Sequence, residues 1–129
     1  MTDDEASSQQ RLQNEPIVWL ATVRPDGRPH LTPIWFCWVR DHFWICTNAS
    51  AVKTRNISAN HRVSVSLQSG TAPIVAEGHA TIHQRPYPAD VSAAFLTKFE
   101  WDITSADNDG PYDAVIEIVP ERWIMGSPR

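Results

Sequence analysis

Cysteine is scarce: Cys37 and Cys46 are the only two in 129 residues. Two cysteines build neither a disulfide framework nor a structural zinc site. Both stand in apolar strand contexts, where an inert buried thiol is the ordinary case. No apolar run approaches the ~18 residues of a membrane-spanning helix. The opening MTDDEASSQQ is polar and acidic where a secretory signal is basic and then apolar, so a cytoplasmic protein is expected. Basic residues are outnumbered by acidic ones, 11 against 15, so the basic excess of a dedicated nucleic-acid binder is missing. No glycine-rich phosphate loop is present, which removes the case for nucleoside triphosphate hydrolysis. Repeats and low-complexity segments are absent too.

What the chain has is tryptophan, six of them, in a composition that is 42% hydrophobic. That is enough apolar material for the core of one domain. The tryptophans call for large buried areas, an interface or a flat ligand. Residues 1–15 read as a polar arm with a short helix over Glu5 to Gln13, and residues 16–129 as a single domain.

Within that domain IVWLATV (Ile17 to Val23) is rich in β-branched and aromatic types and reads as a strand. RPDG (Arg24 to Gly27) is a turn: proline presets φ, aspartate hydrogen-bonds locally and glycine accepts a positive φ. A second strand is expected from Arg28 to Val39, a tight turn over Arg40 to His42, and a third strand from Phe43 to Thr47. Asn48 or Ser50 is suited to cap a helix running to about Ala59. RVSVSLQ (Arg62 to Gln68) alternates, with Val63, Val65 and Leu67 inward, and Ile74 to His83 forms the next strand, in which Gly78 marks a bulge or bend. Val91, Phe95 and Phe99 make the apolar stripe of a helix over Ala89 to Phe99, begun by Pro88. A polar loop follows over Glu100 to Pro111, with its acidic residues Asp102 to Asp109 solvated. Tyr112 to Val119 alternates again, Pro120 interrupts it, and Arg122 to Gly126 forms a short final strand. Six or seven short strands joined mostly by tight turns, with two or three inserted helices, are most economically an antiparallel sheet closed into a small barrel.

Three stretches bear on chemistry. In HLTPIWFCWV, alternation puts His30, Thr32, Ile34, Phe36 and Trp38 on one face and Leu31, Pro33, Trp35, Cys37 and Val39 on the other. Both faces are predominantly apolar, so the strand is expected to be covered on both, the second by another subunit or by a ligand. Pro33 cannot donate to a ladder, so a local break there would free backbone groups for the edge of a flat heterocycle. The second stretch runs from Thr47 through KTRN. A helix N-terminus, the Thr47 hydroxyl, the Lys53 ammonium and the Arg55 fork together suit a phosphate, though Arg55 and Lys53 cannot project identically. An ordinary exposed basic helix is the other reading. The third is Arg122 and Trp123, whose indole either stacks over a partner's pocket or fills the barrel end. His79 and His83 are four apart, about 13 Å along a strand, and the other histidines fall in unrelated segments, so no metal site is expected. If Arg40 pairs with Phe43, Cys37 and Cys46 face each other.

Taken in order, WLATVRPDGRPHLTPIWF (Trp19 to Phe36), KTRNISANHRVSVSL (Lys53 to Leu67) and PERWIMG (Pro120 to Gly126) resemble the pyridoxamine-phosphate-oxidase-like split β-barrel superfamily. The small flavin- or deazaflavin-dependent oxidoreductases of that group are the most similar. The resemblance covers residues 17 to 126. It implies a mainly β fold, a six- to seven-stranded antiparallel Greek-key split barrel, in a homodimer with two cofactor sites at the interface. The implied cofactor is FMN or F420, with KTRN pointing to the F420 branch. Its phosphate would be held by Thr47, Lys53, Arg55 and Asn56, and its ring would lie along Thr32, Pro33, Ile34 and Trp35. His30 and the partner's C-terminal groups, with Trp123 in that position, would shape the substrate pocket. Arg24, Arg28 and Lys98 are the candidates to receive an oligoglutamate tail. The chain lacks the C-terminal basic and histidine-containing motif of the vitamin B6 oxidases, and ASAV, before Lys53, lacks a basic residue some relatives carry. The implied activity is hydride transfer between the bound ring and a small unsaturated or aromatic substrate, without nucleic acid or membrane as partner. A non-catalytic FMN or F420 carrier is the alternative.

Overall fold

A computed structural model describes residues 3–105 and 112–128, with side chains from Ser8 onward. The local signals above become β1 (Ile17–Val23), β2 (Pro29–Trp35), β3 (Cys37–Val39), β4 (His42–Thr47), β5 (Arg62–Leu67), β6 (Val75–His83) and β7 (Ala114–Met125). Helices α1 (Asp3–Asn14), α2 (Val52–Ala59) and α3 (Ala89–Phe99) are inserted among them. Among the described residues the strands form one antiparallel sheet in the order β2-β1-β5-β6-β7-β4-β3. The sheet curls until β2 approaches β4, yet no ladder joins them. The fold is therefore a split barrel, mainly β, with three helices.

The turns follow from their residues. Gly27 takes φ +90° and donates to the Arg24 carbonyl at 2.8 Å, while Asp26 accepts from the Arg28 amide at 3.1 Å. Arg40 and Asp41 both take positive φ, 54° and 61°, the left-handed pair that a two-residue hairpin needs. Val39 consequently pairs with His42 and Cys37 with Trp44. The cysteines do not face each other, because that two-residue turn sets a register different from the one expected.

Two apolar clusters lie on opposite sides of the sheet. Inside the barrel Val18, Leu20, Phe36, Phe43, Ile45, Val63, Val65, Leu67, Ile116 and Ile118 pack together. Outside, Cys37, Trp44, Cys46 and Val115 are covered by Tyr87 and by Val91 and Phe95 of α3. So the second face of β3 and β4 is covered by the chain's own helix, not by a subunit or ligand. Burial, opposed only in part by Lys98 and Arg85 respectively, pushes the Cys37 thiol up to about 11 and the Cys46 thiol up to about 12. The expected polar arm also does more than that name implies: Leu12 of α1 is fully buried in the barrel core, and Gln9 accepts from the Trp38 indole at 3.0 Å.

Other expectations need correction. The long second strand is two strands, and the break falls at Phe36, not at Pro33. Pro33 pairs in register with Trp19, because β2 is an edge strand on which a missing N–H costs nothing. Phe36 turns inward and its amide donates to the Pro16 carbonyl at 3.1 Å. Within the chain itself one face of β2 stays open: Leu31 is 60% and Trp35 47% exposed. Pro120 does not divide β7. It lies beyond the last β4 partner, Ile118, and opposite Gly78, where a bulge in β6 relieves the ladder. Helix α2 begins at Val52 with no side-chain cap. Asn48 instead closes a turn, its side chain accepting from the Ser50 amide at 2.7 Å. Of the polar loop expected after α3, residues 106–111 and the acidic groups among them lie outside the described residues.

Candidate functional site

The split between β2 and β4 opens a cleft of about 360 Å³ lined by Ile34, Trp35, Cys46, Trp101 and Tyr112. Its walls are aromatic by construction. The Trp35 ring stacks on Phe99 of α3 at 4.5 Å and 7°, and Trp101 stands edge-on to both Trp35 and Tyr112. The last turn of α3 also holds the strand break, since Lys98 Nζ donates to the Phe36 carbonyl at 2.8 Å and lies 4.1 Å from the Phe36 ring. Burial lowers the Lys98 ammonium to about 8 against the smaller opposing pull of Cys37 and Glu15. Trp101 Nε1 is a buried donor without a partner among the described residues.

At the other end of β2 the character changes. His30 and Thr32 each bury a polar side-chain atom, Nδ1 and Oγ1, with no hydrogen-bond partner among the described residues. Facing them is α2. Lys53 is half-buried, burial lowers its pKa, and no carboxylate pairs with it among the described residues. Burial, then the charges of Arg24 and Lys53, hold the His30 imidazole below its ordinary value. A desolvated cation and orphaned donors are costly unless an anion completes them.

The expected site residues divide accordingly. His30, Thr32 and Ile34 lie along the inner side of β2 with Lys53 near its basic end, while Trp35, on the opposite face, reaches the aromatic cleft at the end of the strand. Thr47 is buried at the end of β4, just before the lead into α2. Pro33 is on the outer, exposed face. Asn56 is buried and its amide donates to the Thr22 hydroxyl at 3.0 Å, so it fixes α2 to β1. Arg55 is exposed on the far side of α2, since two residues of helix turn it away from Lys53. Trp123 packs against Trp38 and Phe43 of its own chain, with ring centroids 6.1 and 6.2 Å apart, so it fills the barrel end. Of the tail candidates, Arg28 is paired with Asp26 at 2.8 Å, Lys98 is at the opposite end on Phe36, and Arg24 alone adjoins the basic end.

Sequence reasoning missed the loop residues Trp101 and Tyr112 as cleft walls. It also missed a bridge on the outer face, where Glu117 joins His42 Nδ1 at 2.6 Å and His83 Nε2 at 2.8 Å. Their separation in the chain leaves no local signal. His79 meets Glu121 instead, at 3.3 Å. Among the described residues no group of three or more ligating side chains is arranged to hold a metal, and no helix is long and apolar enough to cross a membrane.

A barrel split beside one edge strand, with an aromatic cleft at one end of that strand and a basic pole at the other, defines the class of split β-barrels. The family model described as pyridoxamine 5'-phosphate oxidase matches residues 5–125, and the chain belongs to that family. Solved structures agree in fold. An F420 reductase superposes with a TM-score of 0.71 at 22% identity, covering 94% of this chain and 96% of that one. A conserved hypothetical protein from Mycobacterium tuberculosis gives 0.68 at 22%, covering 97% and 85%. HutZ, the heme storage protein from Vibrio cholerae, gives 0.74 at 17%, covering 99% and 98%. No curated protein sequence matches the chain.

Proposed function

We propose that the chain binds FMN or F420 along β2 and is an oxidoreductase acting on a small unsaturated or aromatic substrate. The observation that carries this reading is the polarity of β2. His30, Thr32 and Ile34 lie on one face, spanning about 13 Å, from the unpaired Lys53 to the Trp35–Trp101–Tyr112 cleft. That order, anion pole, polar middle, aromatic slot, fits a molecule with a phosphate, a polyol and a flat ring. The orphaned Nδ1 and Oγ1 of His30 and Thr32 are the fit on the protein's side.

Such a cofactor, when bound, supplies hydride transfer from its ring. The chain's own residues bind, orient and exclude water. Lys53 and the uncapped start of α2 neutralise the phosphate. Thr32 gives a hydroxyl to the middle of the ligand. Trp35, held flat by Phe99, and Trp101 shape the slot. The partner is proposed to be a second copy of the chain, because Leu31, Trp35 and the 36%-exposed Trp19 leave an apolar outer face on β1 and β2. A non-catalytic carrier is the second reading. One observation favours it: among the described residues lining the cleft there is no carboxylate and no histidine.

The experiment is titration of the purified protein with FMN and with F420, followed by visible absorbance. Micromolar or tighter binding to one of them supports the reading and selects the cofactor, and failure of both sinks it. Turnover of the loaded protein with a reductant separates enzyme from carrier.

A further inference from the structure

His30 is the one imidazole among the described residues with a buried nitrogen that lacks a partner. Folded proteins rarely leave such a group without a reason. Thr32 Oγ1, two residues along the same face of β2, is orphaned likewise. The charged groups acting on the imidazole are Arg24, from the turn after β1, and Lys53, from α2. Arg24 gives one guanidinium N–H to the Pro29 carbonyl, and Lys53 has no carboxylate partner among the described residues. Across the ladder His30 faces Thr22, whose hydroxyl accepts from Asn56, and both of these are neutral. The carboxylate of Asp26, in the same turn as Arg24, is held by Arg28. Two cations and an unpaired imidazole thus converge with no carboxylate paired to Lys53.

We propose that His30 is the proton-carrying arm of the anion pole: when a phosphate-type dianion binds beside Lys53, His30 takes a proton from solvent and donates Nδ1–H to an anion oxygen. This rests on the anion pole of the proposed function. No covalent bond changes. The imidazole gains one proton and solvent loses it. In the empty site the neighbouring cations and burial oppose a charged imidazole, and a bound dianion reverses the sign of the local field. Anion affinity is therefore linked to proton uptake and rises as pH falls.

The test uses sulfate, a dianion that does not titrate between pH 6 and 8, and calorimetry on the full chain. One linked proton gives at most about tenfold per pH unit. The expected result is a sulfate Kd that falls roughly five- to tenfold from pH 8 to pH 6, in line with that limit. In His30→Gln the Kd stays flat across the same range, and in Lys53→Ala sulfate binding is lost at every pH. Side-chain NMR on the wild-type protein should show the His30 ring becoming protonated when sulfate is added at pH 7. A pH-independent Kd in the wild-type protein, an unchanged slope in His30→Gln, or no sulfate binding by the folded chain overturns the proposal. FMN separates this from the reading it rests on. Sulfate behaving as described while neither FMN nor F420 binds sinks the cofactor and leaves His30 its role. FMN binding beside a pH-independent sulfate affinity does the reverse.

Discussion

Gly78 is the position where one added methyl group should matter most. A Cβ built there would lie 2.1 Å from the Val119 carbonyl oxygen, 2.9 Å from its carbon and 3.2 Å from Pro120 Cα. All three are backbone atoms, so no rotamer change relieves the contact. The strands must part by about 1 Å at the β6–β7 bulge, straining the ladder that carries Ile116 and Ile118 into the core. Overpacking of this kind costs about 1–3 kcal/mol, and a weakened ladder bond adds about 1 kcal/mol. The reduced freedom of the unfolded chain offsets about 0.4–1 kcal/mol. Gly78→Ala should therefore lose about 2–3 kcal/mol. Urea unfolding followed by tryptophan fluorescence reads this as a midpoint lower by about 1–2 M. Gly70→Ala is the control: a Cβ there meets nothing within 4 Å and no positive φ is required, so its change should stay within about 0.5 kcal/mol. A Gly78→Ala midpoint within experimental error of wild type, or one equal to that of Gly70→Ala, would refute the close-approach argument.

Lys53→Met should weaken FMN binding about tenfold to a hundredfold, the worth of one charge-assisted hydrogen bond, and leave riboflavin binding unchanged in flavin-fluorescence titrations. Equal losses for both ligands would remove Lys53 from the anion pole. Lys98, lowered from 10.5 to about 8 by burial, binds fewer protons folded than unfolded between those values. The contribution of Lys98 to stability should therefore rise with pH from about 8 towards 10.5, by roughly 1–2 kcal/mol once the partial exposure of the ammonium is allowed for, while above about 9 the raised Cys37 and Cys46 thiols act in the opposite direction, so the difference between wild type and variant isolates it. Lys98→Met should remove that rise in denaturation curves taken across the window. Phe95→Ala empties the centre of the outer cluster, where Phe95 is fully buried, and should cost about 3–5 kcal/mol in the same urea assay. Leu31→Glu, on the exposed face of β2, should convert a dimer to monomer in equilibrium sedimentation with little change in monomer stability. A wild-type monomer would leave that apolar face without its proposed cover.

Much of the fold was legible because its signals are local. RPDG contains the proline, aspartate and glycine of its turn, and the structure uses each in the expected role. Val63, Val65 and Leu67 alternate and are buried. Gly78 marks a bulge because only a residue without a side chain fits against Val119. Val91 and Phe95 of the α3 stripe are buried. The errors arose where pairing partners decide. Pro33 is harmless on an edge strand and Pro120 is harmless beyond the last β4 pair, but neither the edge nor the end of that pairing can be read from the residues themselves. The cover over Cys37 and Cys46 is α3, fifty residues or so further along the chain, where apolar composition gives no address. The site shows the same division. The lysine and the strand residues were named in advance, but not that His30 faces Lys53, that Arg55 turns away, or that Trp101 and Tyr112 close the cleft.

The sequence by itself determined what short-range physics controls: the turns, the alternation of β5, the stripe of α3 and the residue types able to meet a phosphate and a flat ring. The tertiary structure alone decided which of those residues meet. It half-buries Lys53 with no carboxylate partner among the described residues and ties Asn56 to Thr22, because the placement of α2 against β1 is fixed by packing among residues far apart in the chain.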